Sequence, residues 1–190
     1  MSNTGQRQCE NCKKLFTPKE PWHKTCFDCA MKSKTAGGRG APPNQSGLLN
    51  QFAAYLKRLG EQGYFNEQGY LRPELRVADA EMVAKVLVNA ETTNGQLRRF
   101  FTMSRSLEQR LNTGHSFDSI VADIASLQPF AADLIGKQQN VGQRKRLEVL
   151  RDFIDTNAQL ASQNEQAFHK GFLPHFESVI AYFKYYKPKD

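Results

Sequence analysis

Four cysteines stand as two pairs, Cys9-x-x-Cys12 and Cys26-x-x-Cys29, with thirteen residues between the pairs and no cysteine in the 161 residues that follow. Two residues between cysteines let both sulfurs of the turn face one ion, so four thiolates match the closed tetrahedral shell of a structural Zn2+, one per chain. A catalytic zinc keeps one coordination position open, so four sulfurs argue for a structural role. Redox-active Cys-x-x-Cys pairs are the other reading, but the βαβ pattern of a thioredoxin-like site is missing. His23 is near enough in sequence to replace a sulfur, although four sulfurs already fill the shell. Phe16 and Trp22 could pack on the site, and Lys13, Lys14, Lys24 and Lys32 would offset the −2 charge of a zinc tetrathiolate.

A second set of groups suits anion binding. At 100° per residue, Arg98 and Arg105 fall within about 20° of each other, as do Arg99 and Arg110, and the four lie roughly opposite a Leu/Phe stripe. Guanidinium forks fit phosphate oxygens, and a row of them can follow a nucleic-acid backbone without reading bases. The plain alternative is a solvated helix face with Glu108 as a partial partner. The run Gln143-Arg144-Lys145-Arg146 opens a predicted helix, where positive charge opposes the macrodipole unless an anion lies nearby. Lys137 falls in the loop before it. Tyr182, Tyr185 and Tyr186 could stack on bases, yet their helical spacing with Ile180 and Phe183 equally describes core or interface.

Enzymatic chemistry has little to stand on. His115 has Asp118 nearby and His175 has Glu177, but no second ligand or nucleophile completes a site, and no Walker loop, GxGxxG or HExxH occurs. Acidic residues are scattered along predicted helices as solvated faces require.

The chain has 190 residues, 39% of them hydrophobic, enough for one ordinary core and a small appendage. Its first 25 residues are polar and charged, and no apolar run approaches the ~20 residues that span a bilayer, so the expectation is a cytoplasmic protein without signal peptide or membrane helix. The formal net charge is +7. Residues 1–47 hold 8 Lys/Arg against 3 Asp/Glu, while residues 48–190 hold 18 against 16, so the excess sits on the appendage. Four zinc thiolates would lower the total to about +5, still favouring a polyanionic partner.

Three parts must position these groups: a zinc-binding knuckle over 1–34, a flexible linker over 35–47 rich in Gly, Pro, Ser and Asn, and an all-α, compact bundle of about five to six helices over 48–190. The first helix carries Leu48, Leu49, Phe52, Leu56 and Leu59 on one face and ends near Gly60. Residues 63–73 read as an ordered loop, and a second helix over 77–90 buries Ala80, Val83, Ala84 and Leu87. Thr93-Asn94-Gly95-Gln96 has the form of a capping box and opens a third helix to about Leu111, whose buried stripe is Leu97, Phe100, Phe101, Ser104, Leu107 and Leu111. A fourth, capped by Ser116, carries Ile120, Val121, Ile124 and Leu127 and is kinked or split by Pro129; a fifth spans 143–162. The last runs over 165–186, with Pro174 kinking or breaking it.

Three blocks carry a family resemblance: residues 64–75 (YFNEQGYLRPEL), 96–101 (QLRRFF) and 176–186 (FESVIAYFKYY). In this order and spacing the chain resembles, over about 48–187, the small subunit of the type III-A (Csm) CRISPR effector complex. The resemblance implies a helical bundle stacked in several copies beside the backbone subunits and lining the crRNA–target RNA duplex. It implies no catalytic activity, since target cleavage belongs to the backbone subunits, and nuclease and cyclic-oligoadenylate synthesis to the large subunit. Two departures stand out: the cysteine-rich appendage precedes the usual start near Leu48, and Pro129 interrupts a stretch that elsewhere reads as unbroken helix.

Together these readings describe a non-catalytic, RNA-binding subunit of an antiviral type III-A complex. Its expected partners are crRNA, target RNA and the backbone, large and other small CRISPR subunits, with neither a membrane nor a small-molecule substrate. The alternative is a zinc-ribbon adaptor or regulator that binds DNA or a protein.

Overall fold

A computed structural model describes residues 7–10, 12–17 and 45–188. The chain divides into two compact units, Met1–Gln45 and Ser46–Asp190. Cys26, Cys29, Trp22, His23 and the linker up to residue 44 lie outside the described residues. The first unit shows a two-stranded antiparallel ribbon that the sequence pattern did not announce: β1 (Arg7–Gln8) pairs with β2 (Leu15–Phe16), with Gln8 opposite Leu15. Strands of two residues are too short to display an alternation.

The second unit is helical, as its 3.6-residue periodicity requires. Helix α1 (Gln45–Gln62) starts three residues inside the segment expected as linker. It runs through Gly60 and ends at Gly63, whose φ of +65° suits a glycine and whose N–H donates to the Leu59 carbonyl. Its buried stripe is Phe52, Tyr55 and Leu59, whereas Leu49 is exposed. Leu49 and Tyr55 lie about 60° to either side of Phe52, and periodicity alone does not choose between them. Tyr55 is drawn inward because its hydroxyl meets His175 Nε2 at 2.7 Å.

The 63–73 loop is ordered as expected, with a Phe65–Leu71 bridge and Gly69 at φ +79°. After it come α2 (Pro73–Arg76), α3 (Ala78–Asn89) and α4 (Asn94–Asn112). Next stand a 3-10 turn (Phe117–Ser119), α5 (Val121–Ala125) and α6 (Leu127–Gly136). The expected fourth helix is thus split at Ser126, so that Pro129 falls in the first turn of α6, where its missing N–H costs no helical hydrogen bond. The Ser116 side chain caps nothing; its carbonyl instead accepts from Ser119 Oγ at 2.7 Å.

Helix α7 (Val141–Ala161) begins two residues early because Asn140 Oδ1 accepts from the Gln143 N–H at 3.0 Å. The last helix changes winding where Pro174 predicts a break. A π-helical segment (Ala167–Phe172) leads directly into α8 (Leu173–Tyr186), with the proline in its first turn. Helix α8 packs along α3, and α6 along α7. Phe153, Phe172 and Phe176 meet at the centre, with ring centroids 5.4 to 5.6 Å apart for the Phe172–Phe176 and Phe153–Phe176 pairs. Phe52, Tyr55, Tyr64, Phe100, Phe168 and Phe183 complete the buried aromatic set. Among the described residues, no helix is long and apolar enough to cross a membrane.

Candidate nucleic-acid interface

Helix α4 organises the basic surface. Its start is the expected capping box: the Gln96 N–H donates to Thr93 Oγ1 at 3.1 Å, and the Thr93 N–H donates to Gln96 Oε1 at 2.8 Å. Leu97, Phe100, Ser104 and Leu107 are buried, with Phe101 and Leu111 half-buried beside them, and Ser104 Oγ satisfies itself on the Phe100 carbonyl. This stripe fixes the rotation of the helix and sends Arg98 and Arg99 to solvent.

The four arginines do not form one uniform face. Arg98 lines a groove of about 250 Å³ between α4 and α8, with Asn94, Phe101, Thr102, Ile180 and Lys184. Arg99, turned 100° from it, lines a separate groove of about 320 Å³ with Gly95, Gln96, Asp133, Lys137 and Gln138. Neither guanidinium has an ion pair or hydrogen bond with a described residue. Arg105 and Arg110 differ. Arg105 pairs with Glu108 at 2.7 Å and Glu177 at 3.2 Å, and its guanidinium lies over the Phe101 ring. Arg110 pairs with Asp123 at 2.5 Å and donates to the Ser119 carbonyl. Glu108 lies on α4 itself, but Asp123 comes from α5 and Glu177 from α8, which sequence spacing does not bring to α4.

The second basic cluster is divided in the same way. Lys137 reaches the Arg99 groove but holds Asp133 at 2.6 Å. Arg144 donates twice to the Gln138 carbonyl, at 2.9 and 3.3 Å, which gives it a partner despite its place near the positive end of α7. Arg146 pairs with Glu91 at 2.6 Å. Lys145 is exposed and has no ion pair among the described residues. Lys184 was absent from the expected set, although it sits beside Arg98 and likewise has no described partner. Its position one turn after Ile180, on the α8 stripe that meets α4, is the signal that could have found it.

Of the three tyrosines, Tyr182 packs against the core, whereas Tyr185 is exposed and lies edge-on to Tyr186 at 5.1 Å. Tyr186 donates to Glu81 and sits beneath the Lys85 ammonium. The hydrogen bond with Lys85 holds the Glu81 carboxyl below its usual range. His175 is buried between Tyr55 Oη and the Leu75 carbonyl, and His169 faces Glu108 at 3.1 Å. His115 is a surface residue held at the Arg110 carbonyl.

Of the expected metal ligands, Cys9 is wholly buried and Cys12 exposed, while Cys26 and Cys29 lie outside the described residues. Among the described residues, no group of three or more candidate ligands gathers.

A family model described as Csm2 Type III-A matches residues 71–189. No curated protein and no solved structure gives a significant match. The matched span begins inside the first of the three sequence blocks and takes in α4, both grooves and the aromatic C-terminus. It covers well over half of the chain, which therefore belongs to the Csm2 family, the small subunit of type III-A CRISPR effector complexes.

Proposed function

We propose that the helical unit is a non-catalytic RNA-binding subunit that holds the crRNA–target RNA backbone by sequence-independent phosphate contacts and packs on neighbouring subunits in antiviral defence. One observation carries this reading: Arg98 and Arg99 stand side by side on α4, exposed and without a described partner, each opening on its own groove beside a lysine. Such side chains lose no existing ion pair when a phosphate arrives. Arg105, Arg110, Arg146 and Lys137 must exchange a carboxylate first. Their pairs are half-exposed, where such bridges contribute about 0–1 kcal/mol, so a phosphate can compete for them. They rank as secondary contacts, together with Arg144, which donates to the carbonyl of the groove residue Gln138, and the exposed Lys145.

The competing reading, a zinc-ribbon adaptor acting through the basic N-terminus, places binding in the first unit. A variant that lacks residues 1–44 separates the two. Retained RNA affinity and co-purification with crRNA and the other type III-A subunits support the bundle as the binding element. Loss of RNA binding by a variant that remains helical moves the function to the N-terminus.

A further inference from the structure

Helices α4 and α8 run antiparallel and are bridged at two places. Asn94 Nδ2 donates to the Lys187 carbonyl at 3.5 Å, and Arg105 meets Glu177 at 3.2 Å. At 1.5 Å of rise per residue, Asn94 and Arg105 stand about 16 Å apart along α4, and the groove that Arg98 lines lies between these bridges. Leu97 and Phe183 are buried at its bottom, while Phe101 and Ile180 are only half-buried and leave apolar surface in water. Arg98 and Lys184 stand exposed at the rim, one on each helix. Asn94 and Thr102 add neutral polar groups, and no described residue that lines the groove is acidic. The Arg99 groove differs, because the Asp133 carboxylate lies within it beside Lys137.

Phosphate contacts alone make no use of an apolar floor. A paired RNA helix turns phosphates and 2′-hydroxyls outward and keeps its base faces stacked inside, whereas an unpaired nucleotide offers an apolar base and an anionic phosphate together. We infer that the α4–α8 groove takes one unpaired base of the bound RNA, seated against Phe101 and Ile180, with the adjoining phosphate between Arg98 and Lys184. The inference rests on the RNA reading above and divides its two arginines: Arg98 serves base and phosphate together, Arg99 phosphate alone. At about 250 Å³ the groove falls just below the ~300–1,000 Å³ of small-ligand pockets, which suits one base and excludes a stack of several. Its apolar floor gives any base a similar contact, so sequence preference is small. A peptide carrying an acidic and an aromatic side chain has related chemistry. Arg99 favours RNA over it: exposed on the far side of α4 and without a described partner, it continues the positive charge beyond the groove, which a polyanionic strand uses and one acidic side chain does not.

The test measures affinity of the full chain for three RNA duplexes: one fully paired, one with a single bulged nucleotide, and one whose bulged nucleotide is abasic. The bulged duplex should bind about 5- to 150-fold more tightly than the paired one, and the abasic bulge should lose that gain although its phosphates are unchanged. Two variants address the groove. Phe101→Leu removes the ring, and Thr102→Phe fills the groove from an exposed position that folding tolerates. Each should abolish the preference for the bulge and keep both the affinity for paired RNA and its salt slope, whereas Arg98→Ala should lower the slope on every duplex. Thermal unfolding of the same samples identifies any variant that fails to fold. Equal affinity for the three duplexes, with the Arg98→Ala slope still lowered, overturns this inference and leaves the phosphate reading standing; an unchanged slope as well overturns both. A bulge preference that survives in folded Thr102→Phe also overturns it. So does a Thr102→Phe variant that keeps its RNA affinities but no longer co-purifies with another type III-A subunit, which assigns the groove to a protein partner.

Discussion

His175 sets a pH limit on the stability of the bundle. Its ring is fully buried, with Nδ1 2.5 Å from the Leu75 carbonyl and Nε2 2.7 Å from Tyr55 Oη. A carbonyl only accepts, so Nδ1 carries the proton and Nε2 accepts from the tyrosine hydroxyl. Burial keeps that hydroxyl protonated by raising the Tyr55 pKa far above its usual range. The neutral ring is thus fully satisfied. A second proton would place a cation in the core, near Arg72 and Arg76, and burial pushes the His175 pKa down from 6.5 to about 4. The unfolded chain takes up that proton near 6.5 and the native state does not, so this contribution is fully present above pH 6.5 and is lost as pH falls toward 4. At about 1.4 kcal/mol per pH unit the loss is about 2 kcal/mol by pH 5 and about 3 kcal/mol by pH 4. Urea unfolding of the parent and of His175→Gln from pH 7.5 to 4 isolates the effect. The difference between the two curves is needed because Asp152 and Asp155, whose carboxyl pKa values burial raises, add stability as pH falls, while Glu81 acts in the opposite sense. The parent should lose stability relative to His175→Gln across this window. A difference that stays constant with pH would refute the buried neutral imidazole.

Two core positions and the exposed arginines make further predictions. Gly171 lies against the Tyr64 ring, where a Cβ would come within 2.5 Å of Cδ2, and that ring is fixed by its hydroxyl on Asn157. Gly171→Ala should therefore cost about 1–3 kcal/mol in urea unfolding. Phe100→Ala empties a fully buried site and should cost about 3–5 kcal/mol, whereas Arg98→Ala and Arg99→Ala, on the same helix, should stay within about 0.5 kcal/mol in thermal unfolding.

Much of the bundle was legible because apolar spacing and capping act locally. The Thr93 box, the α4 stripe and the helical interruptions near Pro129 and Pro174 depend on neighbours within one or two turns. What the sequence did not show depends on distant partners. The choice of Tyr55 over Leu49 rests on His175, 120 residues away. The pairing of Arg105 with Glu177 and of Arg110 with Asp123 spans 72 and 13 residues, so the four arginines that the helical wheel groups together differ in availability. Lys184 escaped notice for the same reason, since only the packing of α8 on α4 brings it to Arg98. The β1–β2 ribbon is too short to leave a periodic signal.

The most direct test of phosphate holding by α4 is RNA affinity over a salt series for the full chain and for the Arg98→Ala/Arg99→Ala double variant. Each phosphate contact removed should lower the log–log salt slope by about 0.7 to 0.9, with a similar loss of affinity for unrelated RNA sequences and unchanged thermal unfolding. A folded double variant that keeps both its affinity and its salt slope would contradict the account and leave Arg98 and Arg99 as a solvated helix face.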